Sequence, residues 1–253
     1  LVVGGREWDP GGVSNAGGKR INILPAGGAT AAVFADEATV HTAVAPHAAS
    51  VSIAAINGPT NVVISGDGTA VAAIRAQLTE QGVRAKPLTV SHAFHSPLMA
   101  PMLAEFAEIA ATVNYSAPTL DFITNVSGDL AGPEVQTAAY WRDHVRAPVR
   151  FADAMTTLAE RGYTLFLECG PSPTLSGMGR RCLPDTAVTF VPSLRPGRDD
   201  AGQILSSLGQ LYAAGVSVDW QAFHRSGGRQ LTLPTYPFQR QRYWVDQPAK
   251  TQR

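Results

Sequence analysis

Apolar and polar residues alternate along the chain with two periods, one typical of β-strands and one typical of α-helices. Up to residue 94, short β-rich runs are separated by stretches in which apolar residues recur every three or four positions. The predicted elements are strand 31–34, helix 37–48, strands 51–56 and 61–65, helix 69–81 with Gly82 as its cap, and strand 84–94. This β-α-β-β-α-β order predicts a ferredoxin-like small subdomain over residues 29–94.

Beyond residue 95, helical and strand-like patterns alternate regularly. The pattern predicts helices at 97–112, 138–144, 150–161, 175–183 and 201–215, and strands at 120–125, 164–169 and 188–191. Strand 164–169 is mostly apolar, which is typical of a strand buried in a parallel sheet. Residues 95–225 are therefore expected to form an α/β layer with a mainly parallel sheet, and the predicted fold class is α/β.

The two ends of the chain follow neither period. Residues 1–28 are broken by pairs of glycine and are expected to be an irregular lead-in. Residues 226–253 include prolines, four aromatic side chains and two arginines between positions 234 and 244. They are expected to form an extended tail that packs its aromatic side on the protein. Stacking on RNA is the alternative for such a tail, and the neutral chain disfavours it.

Composition narrows the class of protein. The 253 residues are 45% hydrophobic and 16% charged, which is typical of a globular protein. Twenty basic residues balance 20 acidic ones, so no partner among nucleic acids or anionic membranes is expected. No apolar run is long enough for a membrane span. Two cysteines, Cys169 and Cys182, make neither a disulfide framework nor a metal site, so a cytoplasmic location is expected, with Cys169 in the core.

The candidate chemistry lies in the stretch 91–99, where the chain returns from the small subdomain. Ser96 is a suitable N-cap and Pro97 suits the first position of a helix, so His95 is expected at a strand-to-helix corner. The positive end of the helix dipole would keep the imidazole neutral and able to accept a proton. His95 is therefore a candidate general base.

These landmarks resemble, in order, the acyltransferase domain of modular type I polyketide synthases, which is related to malonyl-CoA:acyl carrier protein transacylase. The matching stretches are 24–29, 57–59, 63–66, 92–99, 140–141, 146–151, 168–173 and 233–244, and the resemblance covers residues 24–244. It implies that residues 95–225 are the later part of an incomplete parallel α/β, hydrolase-like lobe. Residues 226–253 then correspond to the linker that follows the domain and leads back toward a ketosynthase.

The resemblance also implies a reaction and a set of roles. In this family a serine takes an acyl group from coenzyme A and passes it to the phosphopantetheine thiol of an acyl carrier protein. His95 matches the histidine that activates the serine, because a serine hydroxyl is a poor nucleophile without a base. His92, Ala93 and Phe94 complete the His-Ala-Phe-His signature that accompanies selection of malonyl units. No bound cofactor and no metal ion are implied.

Two features depart from the family pattern. No Gly-x-Ser-x-Gly elbow occurs in the chain, and Ser14 in the run 12–17 lacks the strand and helix that an elbow requires. The family's carboxylate-binding arginine has one candidate, Arg20, which lies one position out of register. An arginine is expected there because its planar guanidinium matches a carboxylate.

Two hypotheses therefore remain open. The chain is either an acyltransferase segment whose serine is supplied by another segment, or an inactive remnant or docking scaffold for ketosynthase and carrier protein. The isolated chain is expected to be inactive, and to be poorly stable or to associate with another polypeptide. Glu168 is expected to form local hydrogen bonds and His144 to have a structural role.

Overall fold

Four antiparallel strands with two helices form the first part of the protein, in a computed structural model that describes residues 27–90, 92–224, 227, 231–241 and 243. The elements are β1 (Gly28–Val33), α1 (Glu37–Val44), a 3₁₀ turn (Ala45–His47), β2 (Val51–Gly58), β3 (Asn61–Asp67), α2 (Gly68–Glu80) and β4 (Ala85–Leu88). The strand order is β2-β3-β1-β4, with every pair antiparallel. This is the topology of the predicted ferredoxin-like unit, and the α/β fold class is confirmed.

Local sequence explains these elements. Asp67 caps α2 by accepting a hydrogen bond from the backbone of Ala70, and Gly82 follows the helix with φ +80°. The helix is amphipathic and buries Val71, Ile74 and Leu78 against the sheet. The core of this region consists of Ala31, Val33, Val40, Ala43, Val44, Val51, Val62, Ile64, Val71, Ile74 and Leu78. Each of these is less than a tenth exposed, so this core is complete within residues 28–88.

Helices dominate the following part of the chain. Its elements are a 3₁₀ helix (Pro97–Met102), α3 (Leu103–Ala110), a 3₁₀ turn (Pro133–Gln136), α4 (Ala138–His144), α5 (Phe151–Glu160), β5 (Leu165–Glu168), α6 (Thr174–Cys182), β6 (Thr189–Pro192) and α7 (Asp200–Ala213). Strands β5 and β6 pair in parallel, as expected for an α/β layer. Glu168 at the end of β5 accepts hydrogen bonds from the backbones of Leu175 and Ser176, at 2.9 and 2.7 Å. The local hydrogen bonding expected of Glu168 is therefore a cap on α6.

Three sequence expectations for this part are wrong. The strand expected at 120–125 is reduced to a single bridge between Ile123 and Leu130. The helix expected at 97–112 begins as a 3₁₀ helix because Pro101 has no backbone N–H to continue an α-helix. Strand β5 is not buried on both faces: Leu167 is 47% exposed and Cys169 is exposed, since β5 pairs only with β6 among the described strands.

The segment 147–150 joins the small sheet to the helical part. Val149 donates a backbone hydrogen bond to Ala54 at 2.9 Å, and its carbonyl accepts one from Ile56 at 2.8 Å. The side chain of Arg150 forms an ion pair with Glu37 at the start of α1, with N–O distances of 3.1 and 3.3 Å. Arg150 also pairs with Asp153 on α5. One short segment therefore contacts both regions.

Contacts divide the chain into residues 1–214 and 215–253. The second unit contains a one-turn helix, α8 (Trp220–Phe223). The described residues 231–241 and 243 of the predicted linker form neither helix nor strand. Tyr236 and Phe238 are 73% and 72% exposed, and the packing expected of the aromatic side chains stays a prediction. The boundaries predicted at 28, 94 and 225 remain predictions, and residues 1–26 lie outside the described part.

Within the described residues, no helix is both long and apolar enough to cross a membrane.

Candidate active site

His95 lies at a sharp corner between the small sheet and the first 3₁₀ helix. Ser96, which is fully buried, accepts a hydrogen bond from the backbone of Leu98 at 3.2 Å and donates one to the carbonyl of Ala93 at 2.5 Å. The predicted N-cap is therefore confirmed. His95 has φ +55°, the left-handed region, and among the described residues no other non-glycine has positive φ. Such a conformation costs about 1–3 kcal/mol and persists only where surrounding contacts enforce it.

Two hydrogen bonds hold His95, one at its ring and one at its backbone. The ring Nδ1 lies 2.8 Å from the carbonyl oxygen of Ala147. The hydroxyl of Ser52 donates to the carbonyl oxygen of His95 at 2.7 Å. Because a carbonyl only accepts, Nδ1 carries the proton in the neutral ring and Nε2 keeps its lone pair. The geometry presents Nε2 as the atom that can accept a proton.

Burial lowers the pKa of His95 below its usual value, and the hydrogen bond to Ala147 opposes part of that shift. The ring is therefore neutral at physiological pH, as the sequence predicts, but for a different reason. The helix dipole was the expected cause, but the element that follows His95 is a six-residue 3₁₀ helix. The largest cause is burial, which removes solvent from the imidazole ring. A partly buried neutral imidazole whose Nε2 has no hydrogen-bond partner among the described residues has the properties of a general base.

His144, the last residue of α4, is the second imidazole at this site. The His95 and His144 ring centroids lie 6.3 Å apart with an angle of 74° between the planes. Burial lowers the pKa of His144, and the charge that His95 can carry lowers it further. His144 also packs against Tyr140 and Trp141, with centroid distances of 6.1 and 5.9 Å. Its environment agrees with the structural role expected, and it also lies beside the candidate base.

The other three residues of the His-Ala-Phe-His signature lie just before His95. Ala93 is 2% exposed and packs on β1, where a Cβ atom at Gly28 would lie 2.7 Å from the Cβ of Ala93. A residue without a Cβ at position 28 therefore permits this close approach. Phe94 is 36% exposed, and its ring lies 6.2 Å from that of His92. Nδ1 of His92 is buried and has no hydrogen-bond partner among the described residues.

Arg20, the predicted carboxylate ligand, lies outside the described residues, as does Ser14, and the contacts of Ser52 and Ala147 with His95 were not predicted. Among the described residues, no group of three or more His, Cys, Asp or Glu side chains could hold a metal ion. Ser52 was not identified from the sequence because a serine within a strand carries no motif. Ala147 belongs to the stretch 146–151 that resembles the family, so the sequence marked this residue. It did not predict the contact of Ala147 with His95.

A cavity of about 200 Å³ lies at the junction of the small sheet with α5 and α6. Glu37, Ile56, Asp153 and Cys182 are among its lining residues. The thiol of Cys182 contacts the carbonyl oxygen of Asn57 at 3.5 Å, and burial raises its pKa. A raised thiol pKa disfavours the thiolate, so Cys182 is a poor nucleophile and His95 remains the candidate for chemistry.

Comparison with known proteins gives a consistent result. A family model described as the acyl transferase domain matches residues 17–218. The chain is 43% identical over 240 residues to polyketide synthase GfsA of Streptomyces halstedii, covering 93% of this chain and 3% of that protein. It is 47% identical over 239 residues to a phenolphthiocerol synthesis type I polyketide synthase of Mycobacterium bovis, covering 92% of this chain and 11% of that protein. The chain thus spans a small part of these relatives.

Solved structures give the same match. The acyltransferase domain from the second module of the salinomycin polyketide synthase is 41% identical, with a TM-score of 0.84, over 89% of this chain and 53% of that one. A malonyl-CoA:acyl carrier protein transacylase, FabD, from Xanthomonas oryzae is 32% identical, with a TM-score of 0.68, over 77% of this chain and 63% of that one. The chain therefore spans about half to two thirds of the solved domains it resembles.

Proposed function

The chain belongs to the acyl transferase domain family, and on that premise we propose that it supplies the general base of a polyketide synthase acyltransferase. The reaction moves a malonyl-type extender unit from coenzyme A to the phosphopantetheine thiol of an acyl carrier protein. The observation that carries the proposal is the neutral, partly buried His95, whose Nδ1 is held by Ala147 and whose Nε2 is left to accept a proton.

The proposed role of His95 is the same in both halves of the reaction. Nε2 takes the proton of a serine hydroxyl as its oxygen attacks the thioester carbonyl, and the proton then passes to the departing thiol of coenzyme A. In the second half, Nε2 takes the proton of the carrier thiol as its sulfur attacks the acyl-serine. The proton returns to the serine oxygen as the bond to serine breaks. The developing oxyanion needs hydrogen-bond donors in each half.

The nucleophile has no candidate in this sequence, because none of the 253 residues lies in a Gly-x-Ser-x-Gly run. We therefore propose that the serine belongs to another segment, and that this chain by itself is inactive. Arg20 is the proposed ligand for the free carboxylate of the malonyl unit, on sequence grounds alone. A cytoplasmic location stays a prediction.

Selection of malonyl over branched units is proposed for the residues before His95. Phe94 is larger than the serine found at this position in relatives that select methylmalonyl, so it leaves less room for a branch at the acyl α-carbon. One methyl group in such a pocket changes selectivity by about 10- to 200-fold. In a complemented enzyme, Phe94→Ser is expected to raise the ratio of methylmalonyl to malonyl transfer, measured by competition between the two thioesters.

The role of His95 is tested by labelling with radioactive malonyl-CoA and denaturing electrophoresis. The chain is incubated alone and together with a polypeptide from a relative that carries the Gly-His-Ser-x-Gly segment. No label is expected on this chain, and label is expected on the added polypeptide only when this chain is present. His95→Gln should abolish that label because the serine then has no base.

His41→Gln is the matched control, because His41 is an exposed histidine of α1 and lies outside the candidate site. It should leave the label unchanged. Label on this chain when it is incubated alone would overturn the proposal that the chain by itself is inactive. Label that persists on the added polypeptide with His95→Gln would overturn the assignment of His95 as base.

A non-catalytic role is the second candidate function, and the absent serine run favours it. In that case the chain is a remnant or a docking scaffold for ketosynthase and carrier protein. The proposed linker, residues 226–253, would contact the ketosynthase through aromatic side chains such as Tyr236 and Phe238, which are largely exposed here. Binding to isolated ketosynthase and carrier protein, without any labelling in the complemented reaction, would favour this role.

A further inference from the structure

We propose that Ser52 is a positioning residue for His95. The hydroxyl of Ser52 holds the His95 carbonyl and so keeps the backbone in the left-handed conformation that directs Nδ1 toward Ala147. The two residues are 43 positions apart, and the contact is a hydrogen bond of 2.7 Å between partly buried groups. This inference rests on the proposed function only in taking His95 as the base.

Strand β2 provides both anchors of His95. Ser52 lies near the start of this strand and binds the His95 backbone directly. Further along the same strand, Ala54 and Ile56 bind Val149 through two backbone hydrogen bonds, which places the nearby Ala147 carbonyl against the His95 ring. The His95 backbone is therefore held by β2 directly, and its ring is held through segment 147–150, in which Ala147 also donates a backbone hydrogen bond to Asp143 of α4.

An irregularity in β2 makes the second anchor possible. The pairing register with β3 shifts between Ile53 and Ala55, so Ala54 has no partner residue on β3. The Ala54 carbonyl accepts a hydrogen bond from Val149 instead. Bulges of this kind are enriched next to active sites, where they redirect backbone groups. The bulge lies two residues from Ser52, so the two anchors act over a short and rigid distance.

The conformation of His95 explains why a hydroxyl is needed at position 52. A histidine at φ +55° is held against the preference of its own backbone, and its carbonyl is the group that turns when φ and ψ relax. Ser52 binds that carbonyl. Without the hydroxyl, the corner can relax and the ring can leave Ala147. Losing one net hydrogen bond is expected to raise the released fraction about five- to tenfold.

The experiment reads the imidazole itself in the full chain, by ¹⁵N-edited NMR of the histidine rings across a pH titration. In the unaltered chain, His95 is expected to show the Nδ1–H tautomer and a titration midpoint below the usual histidine value. In Ser52→Ala, the Nε2–H tautomer should appear and the midpoint should rise, because a released ring is more solvated. The three-bond coupling between the amide proton and Hα of His95 should move away from the value expected at φ +55°.

Two variants control for general destabilisation. Ser50→Ala removes a hydroxyl of similar burial that bonds the His47 carbonyl at 3.3 Å, and it should leave the His95 signals unchanged. Ser52→Thr keeps the hydroxyl and should restore the tautomer. If Ser52→Ala does not fold, Ser52→Cys is used for the same test. Cysteine is close to serine in volume, and its thiol is a poorer hydrogen-bond donor than the hydroxyl.

An unchanged His95 tautomer and midpoint in folded Ser52→Ala or Ser52→Cys would overturn the proposal. So would equal changes in Ser50→Ala. Neither readout depends on acyl transfer, so a failure here is distinct from a failure of the labelling experiment. A chain in which His95 responds as expected but supports no transfer would retain this inference and contradict the proposed function.

Discussion

The four-stranded sheet of residues 28–88 and the two-stranded sheet formed by β5 and β6 differ in how far they cover their apolar surface. In the first, Val33, Ile64, Ile74 and Leu78 are all 0% exposed. Around the second, the more exposed apolar side chains are Leu167 at 47%, Leu175 at 43%, Ile204 at 49% and Leu205 at 52%. The first region completes its own core, whereas the second presents apolar side chains to solvent.

The candidate base is built on the region that is complete. Ser52 and the two backbone groups that bind Val149 belong to β2, the edge strand of the four-stranded sheet, whereas the carbonyls of Asp143 and Asn125 bind Ala147 and Arg150. The exposed apolar side chains lie instead on β5, α6 and α7. The backbone of the candidate base is therefore bound to the region whose apolar core is covered.

The largest difference is expected for core truncation. Ile74→Ala removes a fully buried side chain of the small sheet and should lower the free energy of unfolding by about 2–5 kcal/mol. Leu167→Ala truncates a half-exposed side chain of β5 and should cost less than about 1 kcal/mol. Urea unfolding followed by circular dichroism measures both. Equal losses would show that β5 is buried in solution and that the two regions do not differ.

A smaller loss is expected within the later region, at the cap of α6. Glu168→Gln replaces the carboxylate that accepts hydrogen bonds from Leu175 and Ser176, and should lower stability by about 1–2 kcal/mol. The matched control is Glu160→Gln, an exposed glutamate at the end of α5, which should change little. Hydrogen exchange should show the loss in α6 while the amides of β1 and β3 stay protected. Loss of protection in both regions alike would show that the two regions unfold together.

The ion pair between the two regions is expected to matter less. The side chains of Arg150 and Glu37 are 29% and 44% exposed, so solvent screens their attraction, and Arg150→Gln should cost about 1 kcal/mol or less. The loss should shrink as salt is added. Arg142→Gln breaks a more exposed pair with Asp143 and is the control. A large, salt-insensitive loss for Arg150→Gln would mean that the junction depends on this pair.

The smallest effect at neutral pH is expected for the His95–His144 pair, because both rings are then neutral. The folded pKa of each is lowered, so the unfolded chain binds protons more readily as the pH falls below the usual histidine value. Stability is therefore retained above that value, and is lost on acidification until the folded pKa values are passed. His144→Asn should reduce the slope of stability against pH below that value, and exposed His41→Asn should not. An unchanged slope in His144→Asn would contradict the lowered pKa inferred for His144.

Much of the fold follows from local sequence. The order of strands and helices up to β4, the Ser96 cap and the glycine after α2 were predicted, because each depends on residues within a few positions. The predictions of a strand at 120–125 and of a buried β5 were wrong. An apolar run indicates that burial is possible, but the packing of more distant elements decides whether it occurs. The same limit applies to Cys169, which is exposed.

For the candidate site, the sequence by itself determined the corner and the residue most suited to accept a proton, since His95 follows a β-rich run and precedes a capped turn. Only the tertiary structure decided which nitrogen is free and why the ring is neutral. Those properties come from Ala147 and Ser52, which are 52 and 43 positions away, and from burial between the regions. Hydrogen bonds between residues so far apart in sequence depend on tertiary packing, which a local sequence pattern does not predict.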